Sequence, residues 1–382
     1  IKPKKFHRRS YLFHYLSVKL QLRQTTQTQS SKMYKPQDLQ NRSFFSFSNP
    51  FRALSPKGLS PKSSLTPDLI DILQQFEEII AERLIALIPK SKDDVSSFRW
   101  VKAAIEVLYA IQGDIRSLIL KVELPITNWD EKWVELYLNT TVSILDLCIA
   151  MTSEIMRINQ GNLFLQCVSH TLESDASTNF PRARSSLAAW SQMVSGKNPR
   201  MTNCSKIIGN LLESIDIPTG KISGKGKVLM SGMYGVRVVT IHLCSVLATI
   251  LTGDCSNMVE FKVSESFAWG GRMNELQCMV NKMLREVVNG RKVAILNEVN
   301  AVDLAVKSMN MVINGGELRN EVEELKNGVE RLANVVEVLE KEFDALFKVV
   351  MSGRDALLSS LRSATMPDQN KFVPFRKQQK VL

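Results

Sequence analysis

Ten apolar residues toward the C-terminal end repeat at alternating spacings of four and three: Leu318, Val322, Leu325, Val329, Leu332, Val336, Leu339, Phe343, Leu346 and Val350. Such spacing holds one apolar seam on one side of a helix. At about 1.5 Å per residue a helix over 317–351 is roughly 50 Å long. An apolar side of that length must be covered by something equally long. Val or Phe at a and Leu at d suits a parallel two-stranded coil, which also wants charges at e and g. Here those flanks carry Lys326, Glu340 and Glu342, but also Gly328, Ala333, Val335, Phe347 and Val349. The apolar face is therefore wider than a two-helix seam and fits the interior of a multi-helix bundle. The spacing predicts an internal bundle helix, and a homodimer through 317–351 is the competing reading.

Upstream, the periodicities supply partners for that helix. Thr66 as a cap and Pro67 in the first turn open a helix with Leu69, Ile72, Leu73, Phe76, Ile80, Leu84 and Leu87 on one face. A second helix is expected over about Asp94–Val122, ended by Pro125. A third opens with Asn128 and Glu131 spaced as a capping box and carries Trp133 through Ile158 to a stop at Gly161. Shorter helices follow near 162–173, 182–194 and 201–215, then a polar loop over 216–227 and the very apolar run 228–251. Helices over about 264–288 and 292–313 precede the long one, with one short extended piece at Val259–Val263. The fold class is all-α: a multi-helix bundle over 67–365, with a long C-terminal heptad helix, a disordered N-terminal tail and a polar basic tail over 366–382.

Charge is unevenly placed. The formal net charge is +11, yet residues 1–32 hold eight basic side chains and no acidic one, and 33–66 add five against Asp38. From Pro67 onward the count is near neutral, so the folded part shows no excess for a phosphate backbone and no nucleic-acid partner is expected. Ile1 stands first and Met33 is the first methionine, so residues 1–32 are expected to be translated upstream sequence. The patch Tyr11–Leu16, interrupted by His14, is too short for a secretory core. The six cysteines form no C-x-x-C, which reads as buried thiols in a reducing compartment.

Residues 33–66 carry Phe44, Phe45, Phe47 and Phe51 among Arg42, Arg52, Lys57 and four prolines. Three readings compete: a plastid transit peptide, a basic-aromatic segment at a membrane surface, and a plain flexible tail. The run 228–251 is long enough to cross a bilayer, but Arg237 and His242 inside it are costly there. The uninterrupted stretch 238–251 has the length of a core helix.

Nothing in the chain composes a catalytic constellation. Gly220–Lys227 lacks the spacing of a phosphate loop and reads as a connector. Cys167 and His170 share a helix face, but no second pair completes a metal site. His242 reads as a satisfied core residue. Asp130, Glu131 and Glu135 at a helix start are explained by capping and the helix dipole. No catalytic, cofactor-binding or metal residue is assigned, and no enzyme activity is expected.

Five blocks nevertheless have a specific likeness: FFSFSNPFRALSPKG (44–58), LPITNWDEKWVELYL (124–138), RINQGNLFLQCVSHTLESD (157–175), GKVLMSGMYGV (226–236) and SGRDALLSSLR (352–362). The chain resembles the BYPASS family of plant developmental proteins from about Pro36 to Arg362. The connector near 313–320 is shorter than usual for that family, and the tail after Arg362 does not match it. The resemblance implies a regulator that limits production of a root-derived mobile signal controlling shoot and root growth, acting without catalytic residues. It implies a plastid or membrane-associated location, otherwise cytoplasmic. An adaptor using helical contacts with an unidentified protein partner is the expected mechanism. The alternatives are an enzyme or carrier for an apolar signal metabolite, and a scaffold anchored to a membrane through 228–251 or the basic N-terminal tail.

Overall fold

The computed structural model describes residues 53–54, 65–122, 131–174, 176–215, 224–288, 294–313 and 319–365. Helices dominate these residues, as the periodicities require. Helix α1 (Pro67–Ala86) starts with Pro67 in its first turn; Thr66 occupies the cap position, but its side chain makes no capping bond. The helix expected from Asp94 is two. Helix α2 (Lys92–Val95) is capped by Ser91, which accepts from the Asp94 amide, and α3 (Phe98–Val122) follows. Between them Ser97 Oγ accepts from the Trp100 amide, while Ser96 bonds Asn297 through both side chain and backbone. The local Ser97 bond offers the backbone an alternative to continuing the helix, and Asn297 holds the break from a distant part of the chain.

Helix α4 (Glu131–Ser174) runs straight through the expected stop at Gly161. A Cβ there would lie 1.9 Å from Met193 Cε and 3.0 Å from the Trp190 ring. Gly161 is a point of close helix approach, not a terminator. What it admits is α5 (Ala176–Ser195), which contains Pro181. Next comes α6 (Pro199–Glu213), opened by Asn198, whose side chain accepts from the Arg200 amide. Helix α7 (Gly224–Thr252) starts within the stretch expected to be loop, and every residue from Val228 to Leu251 is buried.

A 3-10 turn (Cys255–Asn257) leads to β2 (Lys262–Val263), which pairs in parallel with β1 (Ala53–Leu54). Part of the expected flexible tail is thereby tied to the bundle. Helix α8 (Gly270–Val288) starts later than its apolar pattern, because Phe267 and Trp269 are buried against Tyr234 of α7. Helix α9 (Asn297–Val312) also starts late: the Ile295 amide donates to Ile250 O at 2.8 Å, which holds 294–296 extended along the end of α7. The last helix, α10 (Arg319–Thr365), is longer than the seam that announces it.

Helix α7 is the centre, contacted by α1, α3, α4, α6 and α8. Gly232 sits where a Cβ would lie 2.4 Å from Leu118 Cδ2, so α3 reaches the backbone of α7. Helix α10 lies along α4, α9 and α3. Its seam, including Leu325, Val329, Leu332, Leu339, Phe343 and Leu346, is buried within this chain. A second copy could reach that seam only by displacing those helices. The Asn128 half of the capping box, the loop 216–223 and the tail 366–382 lie outside the described residues.

Candidate functional site

The polar chemistry inside the bundle gathers on and around α7. Arg237 is 2% exposed. Its Nη2 donates to Leu211 O at 3.0 Å and to Ser214 Oγ at 2.7 Å, at the C-terminal end of α6. The cation thus meets the negative end of that helix and its terminal carbonyls. Among the described residues it has no carboxylate partner, and Nε is left without an acceptor. Burial lowers the guanidinium to about 10.

His242, expected to be satisfied, is fully buried with no hydrogen-bond partner on either ring nitrogen. Two hydroxyls further along bond within their own helix, Ser245 Oγ donating to His242 O at 2.7 Å and Thr249 Oγ1 to Ser245 O at 2.9 Å, while Thr240 Oγ1 is, like the imidazole, buried without a partner. Burial pushes the imidazole down to about 3, so it is neutral at physiological pH.

Three thiols face the same interior from three helices. Cys148, Cys204 and Cys244 are all buried and unoxidised, and burial raises Cys148 and Cys204 to about 12 and Cys244 well above the ordinary range. Such groups stay protonated and are poor nucleophiles. Beside them Glu154, 1% exposed, holds Arg157 and accepts from Asn198 Nδ2 at 2.9 Å, while Arg157 also donates to Met193 O. This pair joins α4 to the α5–α6 turn.

The residues weighed from sequence are not brought together. Cys167 and His170 lie exposed on α4, and Glu135 is exposed near its start. Among the described residues no group of three or more His, Cys, Asp or Glu is placed to hold a metal ion. Asp130 and the loop 216–223 lie outside the described residues, and Lys225 and Lys227 belong to the first turn of α7. A solvent-open hollow on the outside of α10 is lined by Glu324, Asn327, Glu330, Arg331 and Asn334.

The near-neutral charge from Pro67 onward conceals segregation. Between Asp175 and Glu213 there is no acidic residue, and Arg182, Arg184, Lys197, Arg200 and Lys206 are all exposed on α5, α6 and their turn. Charge summed along the chain cannot show this, because the compensating acids sit on other helices.

The chain is 38% identical to Protein BPS1, chloroplastic, from Arabidopsis thaliana over 332 residues, which covers 87% of this chain and 94% of that protein. It belongs to the BYPASS family of plant developmental proteins. The ROH1-like family description, Protein ROH1-like, also matches residues 43–210. UPF0496 protein 4 from Oryza sativa subsp. indica is 35% identical over 73% of this chain and 61% of its own length. Protein ROH1D from Arabidopsis thaliana is 27% identical over 28% of each chain. No solved structure matches.

The BYPASS-like blocks have structural reasons for their residues. GKVLMSGMYGV supplies Gly232 for the α3 crossing and Tyr234 for the contact with Phe267 and Trp269. RINQGNLFLQCVSHTLESD supplies Arg157, Gly161 and Asn162, the last donating to Val329 O of α10 at 3.1 Å. SGRDALLSSLR places Arg354 so that Nη1 donates to Leu138 O of α4 at 2.8 Å. These are packing and joining roles. Sequence reasoning did not find Arg237 as the clamp on α6, because its acceptors come from a different helix. Its signal was a lone cation in an apolar run.

Proposed function

We propose that this BYPASS-family chain is a non-enzymatic regulator that limits production of a root-derived mobile signal, acting as an adaptor through its helical surfaces. The likeness to the chloroplastic Arabidopsis relative along 94% of that protein carries this reading. The interior supports it: the buried ionisable groups on α7 are engaged with backbone or held neutral, and the three core thiols are protonated. That is a scaffold's core. Action in the plastid rests on the same relative, whose name says chloroplastic.

The test is complementation. Expressed in a plant lacking its BYPASS relative, this chain is expected to restore shoot growth, with a fluorescent fusion in plastids. Failure to restore growth from a well-expressed chain rejects the developmental role, and a fusion excluded from plastids rejects that compartment. Turnover of a small molecule by the purified chain rejects the adaptor mechanism.

A further inference from the structure

Among the described residues, one face of helix α4 has no covering helix, and that face carries an apolar residue at every seventh position: Val142, Ile149, Met156 and Leu163. Val142, Met156 and Leu163 are 36%, 45% and 52% exposed, and Phe164 adds to the end of the row. Seven-residue spacing keeps these side chains on one face over about 30 Å, the row drifting by about 20° per heptad. Ser153 and Gln160, which share the face, are uncharged, and half-buried Asp146 stands at its edge between Val142 and Ile149.

A row at this period suits a second helix that winds gently along it. A helix lying in a lipid interface carries Lys and Arg on its own flanks. The only basic residue between Val142 and Phe164 is Arg157, which Glu154 holds. The two borders of the row differ in charge. On one side Asn198 reaches Ser153, so the α5–α6 turn, with exposed Lys197 and Arg200, lies beside the row. On the other, the Asn162–Val329 bond sets α10 alongside, with exposed Glu330 and with Glu337, which also holds Lys341.

We propose that two copies of this chain associate through the α4 rows, side by side and parallel, about a twofold axis running along the row. That operator sets the cationic border of each copy opposite the α10 border of the other, whereas an antiparallel pairing sets like borders together.

The experiment is sedimentation equilibrium of the full chain from about 1 to 100 µM, a range that captures micromolar association, with the double variant Met156→Glu, Leu163→Glu. The parent is expected to dimerise, and the variant to associate at least tenfold more weakly with unchanged helical circular dichroism. Both positions are already about half exposed, so folding tolerates them. A second readout uses exposed Cys167, one turn beyond Leu163, in a Cys278→Ser background. A short bis-maleimide is expected to join Cys167 to its counterpart, which an antiparallel pair would hold roughly 40 Å apart at 1.5 Å per residue. A monomeric parent, a dimer indifferent to both glutamates, or a dimer that never joins at Cys167 overturns the proposal. So does a monomer that floats with phosphatidylglycerol vesicles and loses them in the double variant, which would assign the row to a lipid surface.

Discussion

His242 and Arg237 are two polar costs of the central helix, and they behave differently. The His242 ring forgoes two hydrogen bonds, and each unsatisfied buried group costs about 1–3 kcal/mol. His242→Leu is therefore expected to stabilise the fold at pH 7 by about 1–2 kcal/mol after some loss of shape fit. The pH dependence has a definite sign. The unfolded imidazole titrates near 6.5 and the folded one near 3, so in between the unfolded chain binds a proton that the native chain refuses. Stability falls as pH drops from about 6.5 toward 3, by about 1.4 kcal/mol per unit from this residue, and His242→Leu removes that slope. Urea unfolding of both proteins at pH 7, 6 and 5 checks this; a constant gap between them contradicts it. Arg237 instead is bonded to the end of α6. Arg237→Ala leaves a cavity and a bared carbonyl and is expected to cost about 2–4 kcal/mol. Arg237→Met fills the space without a buried charge and is expected to cost less than about 1.5 kcal/mol. Equal losses in the two variants, measured by denaturant midpoints, would show that the bonds to α6 dominate over packing.

At the scale of elements, two glycines inside helices separate propensity from packing. Gly113 on α3 has nothing within 4 Å of where a Cβ would go, so Gly113→Ala is expected to add about 1 kcal/mol through helix propensity alone. At Gly161 the same gain is opposed by the contact with Trp190, and a longer side chain must push α5 away. Gly161→Leu is expected to cost about 1–3 kcal/mol in thermal unfolding, and a stabilised variant would mean that α5 does not lie against α4. This contrast also shows what was legible in the chain. Helices α1, α3, α6 and α10 bury one face each, and their apolar residues recur at three and four, so periodicity exposed them. The run through Gly161, the break at Ser96–Ser97 and the late starts of α8 and α9 were not legible. Each is decided by a partner distant in sequence: Trp190 and Met193, Asn297, Tyr234, and Ile250. The candidate site was hidden for the same reason, since Leu211 and Ser214 become acceptors for Arg237 only once α6 and α7 are packed.

Across the whole molecule, the central question is what α7 is for. Its length and composition are those of a membrane-crossing helix, as are those of the Trp133–Leu172 stretch of α4. In this fold α7 is already covered on all sides, by α1, α3, α4, α6 and α8. The two uses exclude each other: drawing α7 into a bilayer would strip five helices of their common partner and expose their apolar faces to water. Covering apolar surface gains about 25 cal/mol per Å², so a helix with Val228–Leu251 wholly buried represents tens of kcal/mol of contact that the rest of the bundle would lose. The folded chain is therefore expected to leave membranes in a carbonate wash. Its α7 amides are expected to exchange hydrogen only through global unfolding, far more slowly than those of α9, where Leu304 and Met311 face solvent. Hydrogen exchange followed by mass spectrometry reads both helices at once. If α7 exchanges as fast as α9 in water but is protected in vesicles, and the protein resists carbonate, the central helix belongs to the membrane and the bundle is assembled around something else.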